Sequence, residues 1–248
     1  MATPRFFSSF EETDQKILLE DPDEFQHFAR VLRLKRGDAV ELVNGHGALV
    51  TGVVDQVGSS SAVITCREIL VIPPADTTRL TIACAIPKRA KFESIIEKCT
   101  ELGVTRIIPL LSERTEVIVD PRKNEKKAGR FGRVVINAAK QARRLHFPEI
   151  TEPLSFSRAL HLLVRQDVKI LIPWLEGERL PVAQALSSLN GCREVAFFIG
   201  PEGDFTPQEI RMAVDAGAIP VSLGDTVLKV DTAAIAVSAF ARFSGGTA

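Results

Sequence analysis

The sequence predicts an α/β protein with two domains, a small N-terminal β-barrel and a larger domain built around a mostly parallel sheet. Three observations support this fold class. Short strand patterns separated by Gly-rich turns occupy the first part of the 248-residue chain. Ile72-Pro73-Pro74-Ala75-Asp76 is typical of a linker, because two consecutive prolines cannot continue a central strand. After this linker, strands alternate with helical segments, which predicts a parallel sheet with helices on both faces.

The N-terminal domain is predicted to span residues 1–72 and to consist mainly of short strands. Turns rich in glycine and serine at 44–47 and 58–61 separate these strands, and a short helix is expected around 23–31. The spacing of short strands and turns favours a small barrel. The expected strands are 39–43, 48–57 and 62–69.

The C-terminal domain is predicted to span residues 73–248. Phe92, Ile95, Ile96 and Cys99 follow helical spacing, and Gly103 is placed to end that helix. A long basic helix is expected over 126–144. The strands expected in this domain are 80–86, 105–110, 168–173, 194–199 and 219–223.

Composition narrows the class of protein. Hydrophobic residues make up 45% of the chain and charged residues 25%, which is ordinary for a folded globular protein. No apolar run reaches the length of a membrane span, and the N-terminus lacks the apolar core of a signal peptide. We therefore expect a cytoplasmic protein with no membrane partner.

Cysteine and histidine spacing does not indicate a metal site. The four cysteines form no C-x-x-C pair and fit no zinc pattern, and the four histidines are scattered. Buried, reduced thiols are the expected state of the cysteines. No metal is therefore expected. The cysteines are Cys66, Cys84, Cys99 and Cys192.

Two basic segments stand out although the formal net charge is zero. The stretch from Glu113 to His146 holds ten Lys or Arg residues against four acids. Local clusters of this kind can bind phosphates in a neutral protein, and a solvated helix face is the alternative. The other segment contains Arg30, Arg33, Lys35 and Arg36.

The first chemical motif follows the strand predicted at 194–199. Gly200-Pro201-Glu202-Gly203 forms a turn, and Thr206, Pro207 and Glu209 give a complete signal for the start of a helix. Ligands bind just beyond the carboxyl ends of parallel strands, and glycines there let a ligand approach the backbone. A purely structural β-to-α turn is the alternative.

The second motif follows the strand predicted at 219–223. It ends at Leu223-Gly224, and a loop then leads into an Ala-rich helix. Two such turns could form opposite walls of one pocket. The chain has no G-x-G-x-x-G fingerprint after a first strand, no P-loop and no G-x-S-x-G elbow, so Rossmann, P-loop and α/β-hydrolase sites are not supported.

These motifs, with others in the same order along the chain, resemble the RsmE family of bacterial 16S rRNA (uracil-N3)-methyltransferases, within the SPOUT superfamily. The resemblance spans nearly the whole chain, and the ordered set of motifs is specific although each motif alone is weak. The matching positions are His27 with Val31-Leu32-Arg33, Gly37-Asp38, Lys98 with Glu101-Leu102-Gly103-Val104, Pro109, Ser112-Glu113-Arg114, Gln141 with Arg144, Ile199 to Gly203, Leu223-Gly224, and Val227 to Ala233.

The resemblance implies a PUA-like, RNA-binding β-barrel over 1–72 and a SPOUT methyltransferase domain with a trefoil knot over 73–248. It implies a homodimer that uses S-adenosyl-L-methionine to methylate N3 of a uridine in 16S rRNA, free or in the small ribosomal subunit. The strand patterns alone do not predict a knot, since true knots are very rare. The implied cofactor-binding residues are Pro173, Ile199, Gly200, Glu202, Gly203, Leu223, Gly224, Val227, Leu228, Thr232 and Ala233.

Methyl transfer from a sulfonium depends mostly on positioning, although the N3 proton of uridine must leave. A cation beside the uracil carbonyls would stabilise the developing negative charge. Arg144 is the candidate, on the resemblance and on its place at the end of the basic helix; a phosphate-binding or solvated arginine is the alternative. The candidate RNA-binding residues are Arg30, Arg33, Lys35, Arg36, Lys126, Arg130, Arg133 and Gln141.

The chain departs from the family pattern at three places. Lys229-Val230-Asp231 stands where the family usually has Arg-Thr-Glu, Asp204 where it has a second glycine, and Asp225 where it has proline. Lysine keeps the charge of arginine but lacks its planar fork. Two alternatives to the uridine-N3 enzyme therefore remain, a SPOUT methyltransferase with another RNA target and a non-catalytic RNA-binding assembly factor.

Overall fold

The structure, a computed structural model, describes residues 3–87, 92–115, 121–189 and 191–244, but not the side chains of 121–128. Contacts divide the chain into two compact units. The first contains Met1–Ala75 and Ala139–Phe147, and the second contains Asp76–Ala138 and Pro148–Ala248. The boundary between residues 72 and 73 stays a prediction.

The first unit is built on a five-stranded sheet. Its order is β1-β3-β4-β5-β2, with β1 parallel to β3 and the other neighbours antiparallel. The strands β3 and β4 have the predicted bounds, and β5 runs two residues further than predicted. The strands are β1 (Arg5–Phe7), β2 (Lys16–Leu19), β3 (Ala39–Val43), β4 (Ala48–Val57) and β5 (Ala62–Val71).

The two edges of this sheet meet and close it into a barrel. The hydroxyl of Ser8, just after β1, donates to the carbonyl of Leu18 in β2 at 2.9 Å. The interior is filled by side chains such as Phe6, Phe28 and Ile64, all fully buried. The predicted barrel is therefore confirmed.

The helix predicted at 23–31 is two elements in the structure. The helix α1 (Pro22–Gln26) is capped by Asp21, whose carboxylate accepts the backbone N–H groups of Asp23 and Glu24 at 3.0 Å. A π-helical turn then covers His27–Val31. The wider turn was not predicted, because the apolar spacing of a π-helical turn differs little from that of an α-helix over five residues.

The second unit is built on an eight-stranded sheet in which every strand pair is parallel. Its strands are β6 (Arg79–Ala85), β7 (Arg106–Leu111), β8 (Glu149–Ile150), β9 (Leu154–Ser155), β10 (Lys169–Pro173), β11 (Leu180–Pro181), β12 (Glu194–Ile199) and β13 (Ile219–Ser222). The order is β11-β13-β10-β12-β6-β7-β8, and β9 also pairs with β7. The five longer strands were predicted to within one residue at each end.

Helices cover both faces of this sheet. The consecutive residues Phe197 and Phe198 point to opposite faces, and both are fully buried. On one face α4 and α6 pack around Phe198, and α7 contacts β6 and β12. The predicted parallel α/β domain is confirmed. Its helices are α2 (Phe92–Glu101), α3 (Pro121–Gln141), α4 (Phe156–Arg165), α5 (Val182–Ser188), α6 (Pro207–Asp215) and α7 (Val230–Ser244).

The end of α2 follows its sequence signal, whereas both ends of α3 differ from the prediction. Gly103 takes a φ of +86° directly after α2, as its predicted stop position requires. The basic helix, predicted at 126–144, is α3, which begins earlier, at Pro121, and ends earlier, at Gln141. Arg143 has a φ of +56°, and the backbone N–H of Arg144 returns to the carbonyl of Ala139 at 2.8 Å. Within the described ranges, no helix combines the length and apolarity needed to span a bilayer.

Candidate functional site

The carboxyl ends of three neighbouring strands form the candidate site. In the sheet β13 lies beside β10 and β10 beside β12, and Pro173 pairs in register with Val221. Parallel strands end at the same edge, so the loops 174–179, 200–206 and 223–229 emerge together. This edge, called the cofactor edge below, therefore gathers Pro173, Ile199 and Leu223, as the sequence predicted them to share one site.

The turn between β12 and α6 is held by a complete capping box. The Thr206 hydroxyl accepts the backbone N–H of Glu209 at 3.2 Å, and the Glu209 carboxylate accepts the backbone N–H of Thr206 at 2.9 Å. The other oxygen of Glu209 accepts the backbone N–H of Glu113 at 2.9 Å. Glu209 is 6% exposed, so this buried carboxylate fixes the turn to the segment that follows β7.

Gly200 is closely packed by its own turn. A Cβ built on this residue would lie 3.2 Å from Oδ1 of Asp204 and 3.3 Å from both the ring and the backbone nitrogen of Phe205. The sequence motif suggested that this glycine admits a ligand to the backbone. The atoms nearest to this Cβ position belong to the turn itself, and the cofactor-binding role of Gly200 stays a prediction.

Gly203 and Glu202 form the exposed outer part of the same turn. The guanidinium of Arg114 donates a hydrogen bond to the carbonyl of Gly203. Sequence reasoning did not assign Arg114 to the site, because it follows a different strand and the contact spans 89 residues.

The loop between β13 and α7 supplies unpaired donors. Gly224 has a φ of +115°, and its backbone N–H donates to the hydroxyl of Ser222 at 3.2 Å. Within the described chain, the backbone N–H groups of Val227 and Leu228 have no acceptor in the protein. The loop ends where the N–H of Ala233 reaches the carbonyl of Lys229 at 2.8 Å.

The chemistry of this edge suits a ligand with an uncharged heteroaromatic group. Ile199 is buried, while Leu223 and Leu228 are half-buried, so they offer apolar contacts. The free N–H groups beside them can bind ring nitrogens or carboxylates. The predicted residues Thr232 and Ala233 lie in the first turn of α7, at the end of this loop.

The thiols beneath the edge are not nucleophiles. Burial, with the nearby Cys99 and the acids Asp231 and Glu202, raises the pKa of the Cys84 thiol well above its usual value. Burial also raises the pKa of Cys99 to about 11, although a hydrogen bond with Ser238 opposes the shift. Both sulfurs are therefore protonated at neutral pH. Among the residues described, no group of three or more His, Cys, Asp or Glu side chains is arranged to hold a metal ion.

Part of the predicted basic cluster in the first unit, Lys35 and Arg36, lines a groove. Arg30, Arg33, Lys35 and Arg36 are all exposed, and Arg33 has a φ of +53°. The groove has a volume of about 440 Å³ and is lined by Leu34, Lys35, Arg36, Asp55, Gln56 and Val57.

Asp55 is the one acid in the lining of this groove. It accepts a hydrogen bond from Lys16 at 2.9 Å and lies 3.9 Å from Arg36. The hydrogen bond and charge of Lys16 lower the pKa of Asp55, and Arg36 lowers it further. Asp55 is therefore charged at neutral pH and offsets part of the positive charge of Lys35 and Arg36.

The other predicted RNA-binding residues lie on α3. Arg130 is exposed and pairs with Glu93 at 2.9 Å, and Arg133 and Gln141 are also exposed. Lys126 belongs to this helix, but its side chain lies outside the described residues. Arg144 is half-buried in the segment 139–147, three residues after the end of α3.

The segment 139–147 is packed into the first unit. Lys140 pairs with Glu24, and their side chains are 11% and 6% exposed. Glu24 also accepts the backbone N–H of Phe7 at 3.0 Å. Nε2 of His146 lies 2.7 Å from the carbonyl oxygen of Ile72. No motif or spacing predicted that this segment belongs to the first unit.

Comparison with known families matches most of the chain. Residues 74–242 match the model of an RNA methyltransferase domain. Residues 19–65 match the model of an RNA methyltransferase PUA domain.

Two relatives with the same name are similar to the chain over most of its length. The chain is 32% identical to ribosomal RNA small subunit methyltransferase E from a Synechocystis species, over 85% of this chain and 67% of the relative. It is also 32% identical to the protein of that name from Mycobacterium bovis, over 88% of this chain and 83% of the relative.

Two solved structures with high similarity contain a cofactor. A methyltransferase structure from Legionella pneumophila with bound SAM has 29% identity and a TM-score of 0.82, with 100% of both chains covered. The Neisseria gonorrhoeae ribosomal RNA small subunit methyltransferase E bound to S-adenosyl methionine has 25% identity and a TM-score of 0.83, with 96% of both chains covered.

Proposed function

The chain belongs to the family of ribosomal RNA small subunit methyltransferases E, and on this premise we propose that it methylates N3 of a specific uridine in 16S rRNA with S-adenosyl-L-methionine. The observation that carries the proposal is the cofactor edge, where three parallel strands end near two backbone N–H groups that have no acceptor among the described residues. When bound, S-adenosylmethionine supplies a methyl group activated by the adjacent positive sulfur. The residues at this edge fit its adenosine and amino-acid parts.

The backbone would do most of the cofactor binding. The N–H groups of Val227 and Leu228, which no acceptor in the described part of the chain engages, would donate to the ligand, and Pro173 would border the adenine. Ile199 and Leu223 would pack against apolar parts of the ligand. Fixed backbone donors orient a ligand with little loss of conformational freedom, which suits a reaction that depends on positioning.

Arg144 would stabilise the negative charge that develops on uracil when its N3 proton leaves. Its guanidinium keeps its charge throughout the physiological range. The left-handed residue Arg143 and the 2.8 Å bond from the Arg144 N–H to Ala139 fix the backbone that carries this side chain. A fixed backbone favours a defined position for the charge.

RNA would bind the barrel domain, 1–72, and the basic helix. The exposed cations Lys35 and Arg36 line the groove in the first unit, and Arg130 and Arg133 are exposed on α3. Such side chains neutralise phosphates and position RNA without reading its sequence. The target uridine would have to be accessible or flipped out of its stack.

The active form would be a homodimer in the cytoplasm, where its ribosomal RNA substrate is found. Large apolar side chains are exposed in the second unit: Val227 is 76% exposed and Phe243 is 75% exposed. Covering such side chains stabilises an association between subunits. A dimer in sedimentation that dissociates in Phe243→Asp would support this part of the proposal.

Mapping of rRNA methylation in a strain that lacks the gene is the decisive test. The proposal predicts loss of one N3-methyluridine in 16S rRNA and its return with the wild-type gene, but not with Arg144→Ala. Loss of a different modified nucleotide would favour another RNA target. An unchanged methylation pattern would favour the non-catalytic assembly factor, which the Lys229-Val230-Asp231 departure permits.

A further inference from the structure

We propose that Asp204 is a positioning residue that joins the loops after β10 and β12 and makes cofactor affinity depend on pH. The inference rests on the proposed binding of S-adenosylmethionine at the cofactor edge. It concerns a residue for which the resemblance implies no role, since the family usually has glycine at this position.

The Asp204 carboxylate connects the two loops directly. Its Oδ2 accepts the backbone N–H of Leu175, in the loop after β10, at 3.2 Å. Its Oδ1 accepts the backbone N–H of Phe205, in the turn after β12, at 2.7 Å. The same Oδ1 lies 3.2 Å from the position of a Cβ on Gly200. One side chain therefore holds the loops that flank the predicted cofactor residues Pro173 and Gly200.

The backbone of Asp204 is held in an unfavourable conformation. Its φ is +60°, a region that glycine adopts freely and other residues adopt at a cost. The backbone N–H of Asp204 donates to the carbonyl of Pro201 at 2.9 Å, which closes the turn. A glycine would fit this turn with less strain. The carboxylate is therefore the feature that the aspartate adds.

The charge of Asp204 is costly in this position. Burial raises the pKa of its carboxyl group, and the N–H groups of Phe205 and Leu175 and the charge of Arg114 only partly oppose this effect. Glu176 raises the pKa further. Asp204 therefore takes up a proton at a higher pH than an ordinary aspartate does.

Protonation would weaken the connection between the loops. Both oxygens act as acceptors, and a protonated oxygen becomes a donor that cannot accept from a facing N–H. The connection is thus complete above the raised pKa and incomplete below it. Folding stability has the opposite sign: because the folded pKa is raised, the contribution of Asp204 to folding stability is present at low pH and is lost as pH rises through that pKa. If Asp204 had only a structural role, cofactor affinity and folding stability would not change in opposite directions with pH.

Three variants test the proposal by calorimetry with S-adenosylmethionine. Asp204→Gly removes the carboxylate and the strain together, and Asp204→Asn keeps one acceptor without a charge. Asp167→Gly is the matched control, because Asp167 has a φ of +54° but lies exposed before the opposite end of β10. The pKa of Asp167 is lowered, by its hydrogen bond to Lys169.

At pH 7.5 we expect Asp204→Gly to bind about tenfold more weakly, which corresponds to about 1.4 kcal/mol. Wild-type affinity should fall as the pH is lowered toward the raised pKa of Asp204, whereas both Asp204 variants should lack this pH dependence. Asp167→Gly should behave as wild type. Wild-type affinity in Asp204→Gly, or the same pH dependence in Asp204→Asn, would overturn the proposal.

Hydrogen exchange in the cofactor-free protein separates this inference from the proposed function. The Leu175 N–H should exchange faster in Asp204→Gly than in wild type, because it loses its acceptor. If the wild-type protein binds no cofactor, the proposed function fails, and the Leu175 exchange rate alone decides whether Asp204 joins the loops. An unchanged rate would refute that role.

Discussion

Replacing Lys140 with methionine should destabilise the first unit strongly. The Lys140 and Glu24 side chains are 11% and 6% exposed, so the change would leave a nearly buried carboxylate without its cation. Breaking a buried ion pair by removing one partner costs about 3–5 kcal/mol. Methionine retains most of the apolar volume of lysine, so little of this cost would come from a cavity.

The double variant Lys140→Met with Glu24→Gln isolates the electrostatic cause. Glutamine is uncharged, and its carbonyl oxygen can still accept the N–H of Phe7, which Glu24 accepts at 3.0 Å. We therefore expect the double variant to recover most of the stability lost in Lys140→Met. Lys16→Met is the control, since Lys16 is 60% exposed in its pair with Asp55 and should cost less than about 1 kcal/mol.

Hydrogen exchange of the Phe7 and Ser8 amides is the assay, because both N–H groups are bonded within the first unit. Sole reliance on tryptophan fluorescence would mislead, because the single tryptophan, Trp174, lies in the second unit. A loss of less than about 1 kcal/mol in Lys140→Met would show that water or a neighbour solvates Glu24. A double variant as unstable as Lys140→Met would refute the electrostatic explanation.

Three further predictions concern RNA, the cofactor and catalysis. Asp55→Asn should tighten RNA binding and steepen the slope of the log binding constant against log salt concentration by about 0.7–0.9, whereas Arg36→Ala should weaken binding and flatten that slope. If filter binding gives both variants the wild-type slope, the groove does not contact RNA. Gly224→Ala should weaken cofactor binding, because alanine is strained at the φ of +115° that Gly224 adopts, although no atom lies within 4 Å of the added Cβ. The control is Gly37→Ala in the first unit, where φ is +95° and the space is equally open. This control should leave the cofactor affinity measured by calorimetry unchanged. Arg144→Ala should lower the single-turnover rate at saturating RNA by about a hundredfold or more, and Arg144→Lys should not restore it fully; wild-type rates would exclude Arg144 from catalysis.

Sequence patterns predicted the elements whose signals are local. The strand β12 has the predicted bounds, and Thr206 and Glu209 form the capping box that their spacing indicated. Short strands escaped prediction: β8, β9 and β11 have two residues each, too few to show a period of two. Their pairing depends on neighbouring strands rather than on their own composition.

Side-chain partners at the candidate site were only partly predictable. The resemblance gave site roles to the residues at the strand ends but none to Arg114, whose bond to Gly203 joins segments far apart in the chain. Asp204 was noted only as a departure, because its bond to Leu175 depends on the loop after β10. The ion pair of Lys140 with Glu24 spans 116 residues, and no spacing rule covers such a distance.

The assignment of Ala139–Phe147 to the first unit has a consequence for the order in which the protein folds during synthesis. The ring of Phe147 packs against Phe7, and the N–H of Gly47 bonds to the carbonyl of Leu145 at 3.0 Å. The ribosome makes residues 76–138 before it makes these partners, so the barrel cannot acquire its full set of contacts while only its own strands have emerged. A gene fragment ending at residue 75 would encode all five barrel strands and still yield an incomplete barrel.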